Sequence, residues 1–199
     1  MKRLAVLISG GGTNLQAIID ATAAGRLDAE IAVVVSNKSK AFGLERARRA
    51  RIETLVFTAK GYRGREGWRA DFDADLAARV VEHRPDLIVL AGWMHVLSER
   101  FLERFPRRVI NLHPALPGQF AGTRAIERAF EAHQRGELER SGVMVHWVIP
   151  EIDAGDPITT AEVPFVSGDT MEEFEARVHE TEHRLIVEAI ETALNEMDR

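Results

Sequence analysis

Leu4-Ala5-Val6-Leu7-Ile8-Ser9-Gly10-Gly11-Gly12-Thr13-Asn14-Leu15 is the stretch whose reading decides the fold. Five apolar residues in a row, without alternation, are what a parallel strand covered on both faces requires. Three glycines stop the strand. A helix follows, with Thr13 and Gln16 at capping-box spacing and Leu15, Ile18, Ile19 and Ala23 as its apolar stripe.

The same alternation recurs outward from there. Ile31 to Val35 reads as a second strand, Phe42 to Ala50 as a helix carrying Arg46, Arg48 and Arg49, and Thr54 to Phe57 as a shorter strand. A polar stretch from Thr58 to Gly67 leads into a long helix through Trp68, Phe72, Leu76, Val80 and Val81. Asp86 to Leu90 is the next buried strand, Ser98 to Phe105 a short helix, and Val109, Ile110 and Leu112 a short strand. Strands and helices in this order predict an α/β fold, a doubly wound, mostly parallel, Rossmann-like sheet. Beyond a helix over Ala125 to His133, Val143 to Val148 and Thr159 to Val163 read as antiparallel additions toward the C-terminus. Thr170 and Glu173 again have capping-box spacing and open a final helix through Met171, Phe174, Val178, Leu185, Ala189 and Ala193. With no repeat, low-complexity segment or linker, residues 1–199 are expected to form a single domain.

Composition bounds the function. The 199 residues are 45% hydrophobic and 29% charged, as in an ordinary globular protein. A net charge of −5 argues against a general nucleic-acid binder, whose phosphate contacts need a basic face. The absence of cysteine excludes disulfides, thiolate chemistry and Cys-based zinc sites. The apolar run after Met1-Lys2-Arg3 is too short for a signal peptide, and no segment reaches membrane-spanning length. The expected setting is the cytoplasm, with small molecules as partners, no membrane, and a monomeric or homodimeric state.

Two stretches carry chemistry. Gly10-Gly11-Gly12-Thr13-Asn14 lies between a strand and a helix, where bare N–H groups and the positive helix end make an anion site. Leu15 replaces the third glycine of a dinucleotide fingerprint, and no Gly-Lys-Ser/Thr is present, so the loop reads as a generic phosphate cradle with Gly12, Thr13 and Asn14 as donors. The second stretch is Asn111-Leu112-His113-Pro114. Residues two apart share a strand face, so an amide and an imidazole emerge side by side at a strand's carboxyl end, where open α/β sheets bind ligands. A carboxylate beside His113 would orient the ring and favour the imidazolium. Glu151, Asp153 and Asp156, in one polar turn, are all candidates. A metal site of His113, His146 and Asp153 is the weaker reading, since the spacings match no ligand signature.

Taken together, these residues resemble the phosphoribosylglycinamide formyltransferase family of folate-dependent formyltransferases. The likeness runs through Leu7 to Ile18, Ser36-Asn37-Lys38, Ala41 to Ala47, Leu90 to Met94, Asn111 to Gly118 and Asp153-Ala154-Gly155. The resemblance implies formyl transfer from 10-formyltetrahydrofolate, as co-substrate and without a metal, to the amine of phosphoribosylglycinamide in purine biosynthesis. It implies a catalytic trio of Asn111, His113 and Asp153, and phosphate contacts from Gly12, Thr13 and Asn14. Glu182 is implied as the contact to the glycinamide nucleotide and His146 as a neighbour of the catalytic centre. Arg65, Met94, His95, Val96, Leu97 and Asn111 are implied in the folate pocket. The N-terminal half would thus bind the nucleotide, and the C-terminal half the folate, with catalysis. The chain departs from a well-known family version at His95, at Thr123-Arg124 and at Asp156-Pro157. A formyltetrahydrofolate hydrolase would carry a further N-terminal domain, and the related tRNA formyltransferase a C-terminal one; neither is expected here. A non-catalytic phosphometabolite-binding module would keep the glycine loop without needing the trio.

Overall fold

The computed structural model describes residues 1–197; the last two residues of the expected 1–199 domain lie outside it. Seven strands form one sheet: β1 (Lys2–Ile8), β2 (Ala29–Ser36), β3 (Thr54–Val56), β4 (Leu87–Leu90), β5 (Val109–His113), β6 (Ser141–Trp147) and β7 (Pro157–Val163). Their order is β3-β2-β1-β4-β5-β6-β7. β1 to β5 run parallel, and β6 and β7 are added antiparallel.

Six α-helices accompany the sheet among the described residues: α1 (Thr13–Ala23), α2 (Phe42–Arg49), α3 (Trp68–Val81), α4 (Glu99–Leu102), α5 (Ala125–Gln134) and α6 (Met171–Met197). They divide the core in two, and the division explains the unalternating strands. Leu4, Val6 and Ile8 of β1 pack with α1 and α6 on one face, while Ala5 and Leu7 meet Phe72, Leu76 and Val80 of α3 on the other. β4 splits in the same way, Leu87 and Val89 to one side, Ile88 and Leu90 to the other. A strand buried on both faces has no position left for a polar residue.

β5 breaks this rule at its end. Val109 faces the α3 layer, and Asn111 and His113 follow it on the same face. Ile110 and Leu112 face the α1 and α6 layer. Strand order reverses between β1 and β4, so their carboxyl ends open a crevice at the topological switch point. Ser9 bridges it: its N–H donates to Gly92 O at 3.0 Å, and its Oγ accepts the Met94 N–H at 2.8 Å.

One of the two expected capping boxes forms. At α6, Thr170 N–H donates to Glu173 Oε2 and Glu173 N–H to Thr170 Oγ1. At α1, the N-cap is Gly12 in the left-handed region (φ 72°) and Thr13 is already helical, so no side chain caps the helix. Gln16 instead donates to Asp20 and accepts from Arg46. No helix among the described residues is long and apolar enough to cross a membrane.

Candidate active site

Beyond the end of β5 lies a cavity of about 250 Å³, lined by Asn111, His113, His146 and Asp153 and walled by Met94, Val96, Ile149 and Ile152. Its polar residues come from three segments. Antiparallel register places His146 of β6 directly opposite Asn111 of β5. Asp153 arrives from the turn after β6, whose course is set by Gly155: a Cβ there would lie 1.7 Å from Trp147 O. Any side chain at 155 would lift the turn off the strand. Asp153 itself sits at φ 52°, a left-handed conformation that Asp tolerates better than most residues.

The contacts form a closed set. Asn111 Nδ2 donates to Asp153 Oδ1 at 3.1 Å and lies 3.2 Å from His146 Nε2. His146 Nδ1 is 2.9 Å from Trp147 O. A carbonyl only accepts, so Nδ1 carries a hydrogen, and in the neutral ring Nε2 is left as the acceptor for Asn111. Both amide hydrogens of Asn111 are thereby engaged. Asp153 Oδ2 accepts the Gly122 N–H at 2.8 Å and lies 3.4 Å from His113 Nδ1. His113 Nε2 is buried and has no hydrogen-bond partner.

Burial pushes the His113 imidazole below its ordinary value, and the nearby Asp153 charge only partly restores it. The sequence led to the opposite expectation, an imidazolium held by its carboxylate. Asp153 is near enough to orient the ring, but too far to repay the desolvation of a buried cation. Burial thus favours the uncharged ring, with Nδ1 on the Asp153 side and Nε2 without a partner. Burial also opposes charge on Asp153, but the carboxyl still lies below its usual range, with the Gly122 N–H among the groups that hold it there.

Of the three acids left open by the sequence, Asp153 is the one that reaches both β5 side chains; Glu151 also lines the cavity. Met94, His95, Val96 and Leu97 line the same cavity. Arg65 does not: its guanidinium reaches back to Gly61 O at 3.1 Å, in the polar stretch before α3. Among the described residues, no three His, Cys, Asp or Glu side chains are grouped to hold a metal.

Gly12, Thr13 and Asn14 form a second cluster at the start of α1. The first amides of α1 have no acceptor within the helix, which suits an anion. The Asn14 side chain is not a free donor, since its Nδ2 donates to the buried Glu182 Oε2 at 3.1 Å. The same oxygen lies 2.9 Å from His179 Nδ1. Gly12 also meets a steric demand, because a Cβ there would lie 2.7 Å from Gly43 Cα of α2.

Three contributors were missed in the sequence. Arg46, given no role there beyond its place on the helix, donates from Nε to Gly11 O at 2.8 Å and so holds the glycine loop. Arg128 donates to Ala121 O at 2.9 Å, fixing the segment whose Gly122 binds Asp153. His179 joins the Glu182 cluster. An arginine on a helix next to a glycine-rich loop is the signal available for the first two; His179, three residues before Glu182 on a helix, is the signal for the third.

Comparison with known proteins shows which family the chain resembles. A family model described as formyl transferase matches residues 2–190. A phosphoribosylglycinamide formyltransferase of Schizosaccharomyces pombe is 51% identical over 195 residues, covering 94% of each chain. The crystal structure of glycinamide ribonucleotide transformylase 1 from Symbiobacterium toebii superposes with a TM-score of 0.87 at 41% identity, over 96% of this chain and 86% of that one. That of phosphoribosylglycinamide formyltransferase from Bacillus halodurans gives 0.89 at 31% identity, over 98% and 97%.

Proposed function

The chain belongs to the formyl transferase family, and from that premise we propose how its residues carry the reaction. The enzyme transfers a formyl group to the amine of phosphoribosylglycinamide in purine biosynthesis. The donor is 10-formyltetrahydrofolate, and the products are formylglycinamide ribonucleotide and tetrahydrofolate. The observation that carries the reading is the convergence of Asn111, His113 and Asp153, 42 residues apart at the extremes, at one apolar-walled cavity.

The amine attacks the formyl carbon, and the carbonyl electrons move onto oxygen. His113 takes the proton lost by the amine at its free Nε2, and the resulting imidazolium lies beside Asp153. Asn111 gives up one of its two present hydrogen bonds and donates to the developing oxyanion; such a donor is worth ~10²–10³ in rate. The carbonyl re-forms as the bond to the folate nitrogen breaks, and that nitrogen receives the proton from His113. This ordering makes burial useful. A ring that enters uncharged can accept a proton, and its neighbour stabilises the charge as it appears.

The start of α1 holds the ribonucleotide phosphate through the Gly12, Thr13 and Asn14 amides, and Glu182 contacts the glycinamide. The folate lies along Met94 to Leu97. The glycine loop of the N-terminal half thus serves the nucleotide together with Glu182 from the C-terminal half, and the folate wall and the chemistry meet beside β5 and β6, within one domain. The test is whether purified protein consumes 10-formyltetrahydrofolate only when phosphoribosylglycinamide is present. Consumption without the amine would make the protein a hydrolase. No consumption, with phosphate ligands still bound, would leave a binding module.

A further inference from the structure

The cavity wall from Trp93 to Leu97 has no regular secondary structure, yet it must present backbone and side chains to a ligand in one shape. Trp93 and Leu97 anchor it in the α3 layer. Met94 and Val96, 68% and 41% exposed, line the cavity. Its N-terminal end is pinned by Ser9 Oγ, which accepts the Met94 N–H. Its C-terminal end is pinned by Asp73 of α3, whose Oδ2 accepts the Ser98 N–H at 2.7 Å.

Asp73 is 0% exposed, and nothing in the transfer chemistry uses it. A carboxylate taken wholly out of water costs several kcal/mol unless it is paired, so a buried one requires an explanation. Its second oxygen supplies it. Oδ1 lies 3.5 Å from His95 Nε2, close but not hydrogen-bonded, and neither atom has a hydrogen-bond partner. The His95 ring is wedged edge-on against Phe72 at 4.9 Å, with Trp68 and Trp93 also beside it. One side chain on α3 therefore holds the end of the wall through the Ser98 backbone and stands beside the middle of the strap at His95.

We infer that Asp73 is a positioning residue for the formyl donor, holding the Trp93–Leu97 strap in the shape that receives it. The inference rests on the proposed reaction, and it separates the two substrates. Asp73 grips the wall of one site and makes no contact with the Gly12–Asn14 and Glu182 cluster.

The experiment compares Asp73→Ala, which removes both carboxylate oxygens, with Asp73→Asn, which keeps an oxygen for Ser98. Asp73→Ala should raise the KM for 10-formyltetrahydrofolate by about tenfold, the scale of one hydrogen bond to a charged group. KM for phosphoribosylglycinamide and kcat at saturating donor should stay within about twofold. Asp73→Asn should recover part of the donor KM. Equilibrium binding of tetrahydrofolate, which needs no turnover, should weaken in parallel. An unmoved donor KM overturns the inference. So does an equal loss for both substrates that follows the loss of thermal stability, the mark of a merely structural residue. If the wild-type protein binds tetrahydrofolate but transfers no formyl group, the proposed reaction fails while the binding comparison still decides the role of Asp73.

Discussion

His113 and His179 both lie against a carboxylate, and they titrate in opposite directions. His113 is 3.4 Å from Asp153 and itself buried at the floor of an open cavity, and burial pushes it down. His179 is 2.9 Å from Glu182 on a half-exposed helix face, and the direct hydrogen bond lifts it against a smaller desolvation. Half an ångström and the depth of burial decide which way each ring's pKa moves. The consequence is a division of labour. The cavity at β5 and β6 keeps an uncharged imidazole ready to take a proton. The region where α1 meets α6 sets a histidine whose cationic form is favoured near a helix start, which in the proposed reaction suits an anion that is held and not transformed.

The largest effect should come from breaking the first region. Asp153→Asn keeps the shape but removes the charge that steadies protonated His113, and it should lower kcat by ~10²–10³ while moving the KM for phosphoribosylglycinamide only a few-fold. Steady-state kinetics on both substrates checks it. Comparable losses in kcat and nucleotide KM would erase the distinction between the regions.

A smaller effect, of the opposite kind, should follow at the glycine loop. Gly12→Val meets Gly43 Cα and a left-handed backbone, so the start of α1 must shift. The expected result is a rise of about tenfold or more in nucleotide KM with tetrahydrofolate binding preserved, on the scale of 1–3 kcal/mol for an overpacked site. Titration calorimetry with each ligand separately would show it.

The smallest effect sharpens the contrast between the histidines. A group whose pKa is raised on folding stabilises the protein below its unfolded value, near 6.5, and that contribution is lost as pH climbs through the folded value. His179→Gln should therefore cost at most about 1 kcal/mol on the acid side, since the pair is part-exposed, and nothing in base. His113 and Asp153 act the other way. Their lowered values favour the fold above the unfolded pKa and weaken it in acid. Melting curves of the wild-type and His179→Gln proteins at about pH 6 and about pH 9 resolve the two contributions.

Much of this was readable in the chain. The unalternating run at Leu4–Ile8 carries the parallel sheet, because a strand covered on both faces has no other pattern. The spacing of Asn111 and His113 placed them on one face before any coordinates. Asp153 could not be chosen over Glu151 and Asp156 from local pattern, because the choice depends on Gly155 seating the turn against Trp147. The charge state of His113 was misread for a similar reason. Sequence shows that a carboxylate is available, but not the balance between its distance and the water excluded around the ring. The α1 cap failed where the α6 cap held, since Gly12 is drawn into a left-handed turn by its contact with α2. Asp73 gave no signal, an acid among helix residues whose burial only packing reveals.

The account turns on His113 entering the reaction uncharged, with Asp153 lifting its proton affinity while burial holds it down. An ¹⁵N NMR titration of the His113 ring, in the wild-type protein and in Asp153→Asn, measures that directly. The account predicts a midpoint below the ordinary 6.5 in the wild type and a lower one still in the variant. A wild-type midpoint above 6.5, or the same midpoint in both proteins, would contradict it.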